Sequence, residues 1–109
     1  MKYNTSIAKL CERMDKRTEN YITLKVHSTY KLEKDGDRLF LYHYGNPVGG
    51  VIKCGNRYTA CLGSPISDSD VRSLNTMWKY YLTGTRAHLC KEGVRVESIN
   101  ECTDNAVIF

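Results

Sequence analysis

Five cysteines, three histidines and twelve carboxylates carry most of the chemistry available to this 109-residue chain. Cys54 and Cys61 with His43 and His88 could supply four zinc ligands. Common zinc modules take their thiolates from closely spaced Cys-x-x-Cys pairs, and none occurs here. A cysteine nucleophile needs an adjacent base. His43, between Tyr42 and Tyr44, could serve as that base for Cys54 or Cys61, yet the order of these residues fits no cysteine-protease signature. No Gly-x-Ser-x-Gly elbow accompanies the serines. Asp35 and Asp37 flank Gly36 and could hold a cation, but Asp-Gly between alternating apolar runs is hairpin chemistry. The stretch "YGNPVGG" is glycine-rich enough to suggest a phosphate cradle. It lacks the Gly-Lys-Ser/Thr of a P-loop and the Gly-x-Gly-x-x-Gly of a dinucleotide fingerprint. The chain therefore reads as non-catalytic, with no cofactor and no metal.

The elements that position these groups follow from periodicity. Ile7, Leu10, Cys11 and Met14 recur at helical spacing after a Thr5 or Ser6 cap, and this first helix ends near Arg17. "NYITLKVHSTYKL" alternates, with Ile22, Leu24 and Val26 on one side and Tyr21, Thr23, Lys25 and His27 on the other, as a half-buried strand does. Asp35-Gly36 turns it into a second strand, "LFLYHY". Asn46-Pro47-Val48-Gly49 reads as a type I turn into a third strand, "VGGVIK", whose paired glycines mark a bulge or a close backbone approach. "CGN" then turns into a fourth, "RYTACL".

Ser67 caps the clearest helix, with Asp70 as an acidic variant of the capping box and Asp68 and Asp70 at the positive end of the dipole. Val71, Leu74, Trp78, Tyr81 and Leu82 make its apolar stripe, with Trp78 as a core anchor. Gly84 suits the helix stop. "TRAHLC" and "VRVESI" form a second hairpin. The terminal "AVIF" either adds to a sheet edge or docks on a partner, which leaves a homo-oligomer open. The order α-β-β-β-β-α-β-β predicts one α+β domain over residues 1–109, an antiparallel four- to six-stranded sheet with helices on one face.

The opposite face must then meet water or a partner. If Ile22, Leu24 and Val26 face the helices, then Lys25 and His27 face away, and Arg57, Thr59 and Cys61 can share that side. The second strand adds either Tyr42 and Tyr44 or His43, according to register. Lys25, His27, Tyr42, Tyr44, Arg57 and Tyr58 are the expected partner-binding residues. A basic, tyrosine-bearing surface can dock a protein, since tyrosine and arginine dominate interface energetics. It can also stack bases and contact phosphates of RNA, DNA or a nucleotide.

Bulk composition bounds the partner. Net charge is +4 and the pI about 8.8, mildly basic, which favours an acidic partner without the stronger bias of many nucleic-acid binders. The first residues are amphipathic and no run approaches the roughly 20 apolar residues of a membrane span. No membrane partner is expected. An odd cysteine count without a disulfide-like framework suggests reduced thiols and a cytosolic setting.

Several short motifs also fall in sequence together: Tyr44-Gly45-Asn46 closing a strand, Gly50 with Ile52, Ser67 and Ser69 in a polar turn, and Arg72-Ser73-Leu74-Asn75 in the helix. Over about Thr29 to Leu82, roughly half the chain, this pattern resembles small uncharacterised accessory proteins encoded by tailed bacteriophages. The Thr-Thr-Lys usual before the helix is replaced here by "SDSDV". The resemblance implies a phage accessory product in the host cytoplasm that binds and neutralises a host factor, immune effectors included. It implies no functional residues. The α-β-β-β-α order is also similar to a double-stranded-RNA-binding domain, but Asp68 and Asp70 stand where that module carries lysines.

Overall fold

The computed structural model describes residues 5–26, 29–82, 85–90, 93–98 and 107–108, with side chains over 6–25 and 29–82. Helix α1 (Thr5–Asp15) turns Ile7, Leu10, Cys11 and Met14 inward, and all four are buried. Strands β1 (Tyr21–Val26), β2 (Tyr30–Asp35), β3 (Arg38–His43), β4 (Asn46–Cys54) and β5 (Arg57–Leu62) form an antiparallel meander. Helix α2 (Asp68–Tyr81) follows, then the hairpin β6 (Thr85–Cys90) and β7 (Gly93–Ser98), with β6 against α2. Strand β8 (Val107–Ile108) joins the sheet parallel to β5, so of the two roles open to "AVIF" its centre takes the sheet edge. The class is α+β, as expected.

The predicted first strand is in fact two. The chain reverses between Val26 and Tyr30, and β1 pairs with β2 from Val26↔Tyr30 to Tyr21↔Asp35. Apolar parity carries through the reversal: Leu24 and Leu32 are cross-strand partners and both are buried. That preserved alternation is why the sequence reads as one uninterrupted strand. His27 lies outside the described residues.

The turn expected at Asn46–Gly49 lies two residues earlier. His43 pairs with Asn46 across a loop of Tyr44 and Gly45, whose φ values of 54° and 80° are the positive pair that a type I′ hairpin demands. Pro47 therefore lies inside β4. The two glycines after it do both things the sequence allowed. Register shifts between Leu41 and Tyr42, leaving Val48 as the extra, fully buried residue of a bulge. A Cβ on Gly50 would lie 1.9 Å from the Leu39 carbonyl oxygen. The Trp78 indole donates to the Gly50 carbonyl at 2.8 Å.

Both helices pack on one side of the meander. Leu24, Leu32, Leu41 and Leu62 line up across the strands and meet α1 and the Val71, Leu74 and Trp78 stripe of α2 in a single core. Met77 joins that stripe, and Tyr81 packs at its edge. Gly84 lies outside the described residues. Leu82 caps α2, with its N–H donating to the Trp78 carbonyl.

Candidate functional site

Register decides which side chains share a surface. The row Lys25–Lys31–Tyr42–Pro47 runs across β1 to β4 on the face away from the helices. Lys25 and Lys31 are direct cross-strand partners. Like charges so placed oppose pairing. The Lys31 ammonium stands 5.5 Å from the centre of the Tyr42 ring. Their neighbour Glu33 accepts hydrogen bonds from Tyr21 (3.1 Å) and Tyr42 (3.5 Å). Burial pushes the Tyr42 phenol up, and the Glu33 charge adds to the shift. Both hydroxyls are thus tied inward, leaving ring edges and the lysines at the surface.

The adjoining turn presents Tyr44. Its side chain is 78% exposed, although its backbone sits in the left-handed region that disfavours a bulky residue. One ring face is taken by His43, with centroids 4.5 Å apart; His43 in turn stacks on Tyr30 at 3.9 Å. Beneath this ladder His43 Nδ1 lies 2.6 Å from a carboxylate oxygen of Asp70, which is nearly inaccessible. Nδ1–H donates to that oxygen and Nε2 is left for other contacts. Asp70 also accepts from the Ile66 N–H at 2.9 Å and from Tyr30 at 3.4 Å, while its own N–H donates to the Ser67 hydroxyl. Ser67 is therefore the N-cap the sequence indicates. The Asp70 carboxylate, however, reaches the residue before the cap and the sheet, pinning the start of α2 to the β3–β4 turn. Lys25, Thr29, Lys31, Tyr44 and Gly45 surround a cavity of about 200 Å³ at this end of the sheet.

Of the six expected contact residues, the fold gathers Lys25, Tyr42 and Tyr44. Arg57 is on the same face but at the far corner, opposite Cys54 at the other end of β4. Tyr58 faces the helices, its ring 4.9 Å from Tyr81. Consecutive residues of a strand point to opposite faces, so Arg57 and Tyr58 could not share one. His43 likewise turns to the helix side, away from Cys54 and Cys61. The Cys–His grouping therefore does not assemble, and the His88 side chain lies outside the described residues. Lys31 was missed because its pairing with Lys25 appears only once β1 and β2 are separated.

The centre of the same face is covered. Phe40 and Cys61 are buried there, with the Arg38 guanidinium 4.7 Å from the centre of the Phe40 ring. Burial pushes the Cys61 thiol up to about 11. Among the described residues no three His, Cys, Asp or Glu groups converge as metal ligands, and no helix is long and apolar enough to cross a membrane. The chain matches no family model, no curated protein and no solved structure.

Proposed function

We propose that this chain is a non-catalytic binding protein that docks an acidic protein partner on the rim formed by Lys25, Lys31, Tyr42 and Tyr44. The observation that carries the reading is the coincidence of two features the fold does not need. Two lysines face each other across β1 and β2, and an exposed tyrosine occupies a left-handed position beside them. Each costs folding free energy, and together they offer cations flanking an aromatic anchor. The phage resemblance supports reading the partner as a host factor in the host cytoplasm and the effect as inhibition of a defence function. Affinity capture from host lysate with mass spectrometry is expected to recover one stoichiometric protein whose contact surface is acidic. Recovery of none contradicts the proposal.

A second reading rests on the free side of the Tyr44 ring. An aromatic platform beside two ammonium groups also suits a base and its phosphate, as in single-strand or nucleotide binding. Glu33 and Asp35, on the same face, disfavour a long polyanion, so this reading ranks second. It predicts oligonucleotide affinity that falls steeply with added salt. Absence of binding to RNA, DNA and nucleotides alike removes it.

A further inference from the structure

A second cleft lies on the helix-facing side, at the opposite end of the sheet from Tyr44. It opens between the end of α1 and the β2–β3 loop, has a volume of about 350 Å³, and is floored by Met14 and Leu39. Lys34 explains its interest. In the row Ile22–Lys34–Leu39–Val51–Ala60 every other member is apolar, so a cation occupies a core-facing position. Helix α1 ends at Asp15, and Lys34 is half-buried in the cleft wall. Lys53 reaches the same cleft from β4, on the same side of the sheet.

Pairings among the described residues leave these two ammonium groups over. Arg17 is held by Glu19, and Asp15 accepts a hydrogen bond from Tyr80 at 2.7 Å. Among the described residues neither the Lys34 nor the Lys53 ammonium has a hydrogen-bond or ion-pair partner, and the Asp37 carboxylate and the Tyr58 hydroxyl have none either. Two unpaired cations in one concave site are unfavourable unless an anion joins them. The volume far exceeds a bare tetrahedral anion. Leu39, Met14 and the Tyr58 ring give an apolar surface for an organic body, while Asp37, Asn20 and the Tyr58 hydroxyl can meet hydroxyl groups.

We propose that this cleft binds a hydroxyl-bearing phosphomonoester of sugar-phosphate size, its phosphate held between Lys34 and Lys53. The site is separate from the rim and does not depend on what the rim binds. It gives a role to Tyr58, which the sequence reading places among the partner-binding residues but the docking face does not use.

The test is a ¹H–¹⁵N titration of the full chain with ribose 5-phosphate, with ribose and inorganic phosphate as parallel arms. Saturable shifts are expected at the amides of Asn20, Gly36 and Lys53, with inorganic phosphate weaker and ribose silent. The Lys34→Met/Lys53→Met double variant should retain the wild-type spectrum elsewhere and weaken binding by about tenfold or more. Should that variant fail to fold, Tyr58→Phe with Asp37→Asn replaces it, and a several-fold loss for ribose 5-phosphate but not for inorganic phosphate is expected. No saturable shift at millimolar ribose 5-phosphate overturns the proposal. So does equal binding of inorganic phosphate, or affinity unchanged in the variants.

Discussion

Replacing Tyr44 by asparagine separates what the turn needs from what the surface offers. The β3–β4 loop requires positive φ at both positions, and Tyr44 supplies 54° against its steric preference. The left-handed conformation costs an ordinary residue about 1–2 kcal/mol, much of which asparagine avoids. Against that gain stands the lost stack on His43, worth about 0.5–1.5 kcal/mol. Little burial is forfeited, because the side chain is 78% exposed. The two effects nearly cancel, so Tyr44→Asn should change stability by no more than about 1 kcal/mol. In urea unfolding, at a slope of about 2 kcal/mol per molar, that is a midpoint shift of at most roughly half a molar. A loss above about 2 kcal/mol would show that the ring is structural and defeat the inference that it is kept for a partner. Trp78→Ala is the internal reference. It empties a fully buried site, removes the bond to Gly50 and should cost at least about 3–5 kcal/mol.

Further outcomes follow from the same geometry. Gly50→Ala should not yield a folded protein by circular dichroism, since its Cβ would meet the Leu39 oxygen at 1.9 Å and the Phe40 Cα at 2.8 Å, both backbone atoms. Asp70→Ala strips a buried acceptor from His43 and Ile66 and should lower stability by about 2–4 kcal/mol in urea unfolding; a change within about 0.5 kcal/mol contradicts the pinning role. Tyr81→Phe should be neutral or stabilising by up to about 1 kcal/mol, because among the described residues the buried hydroxyl finds no partner of normal geometry and the nearby Cys11 thiol is a weak one. Burial, with Asp15 adding to it, pushes the Cys11 thiol from 9.0 to about 12. The unfolded thiol ionises first, so its stabilising contribution is complete below pH 9 and is lost as pH rises from about 9 to about 12. Cys11→Ala should flatten the alkaline fall of the unfolding midpoint, and an unchanged slope contradicts the assignment.

Periodicity made the body of the fold legible. The apolar faces of α1 and α2, the Ser67 cap and the Asp-Gly and Cys-Gly-Asn turns each rest on local chemistry that the chain spells out. The reversal between Val26 and Tyr30 was hidden because Leu24 and Leu32 keep one alternation across it. Losing that turn also hid the Lys25–Lys31 pair, the strongest feature of the rim. Tyr44 in a left-handed turn breaks the preference for glycine or asparagine, so proline pointed to the wrong reversal. The Asp70–His43 contact joins residues far apart in sequence and has no local signature. Tyr58 was misplaced by parity alone: adjacent to Arg57, it had to face the other way.

The central claim is that the Lys25–Lys31–Tyr44 rim is the docking surface. Its most direct measurement is quantitative affinity capture with the wild-type chain, the Lys25→Glu/Lys31→Glu/Tyr44→Asn variant, and Lys9→Gln on the solvent side of α1 as a control. Wild type and Lys9→Gln should retain the same acidic protein in stoichiometric amount, and the folded triple variant should lose it. Equal retention by the triple variant would contradict the account.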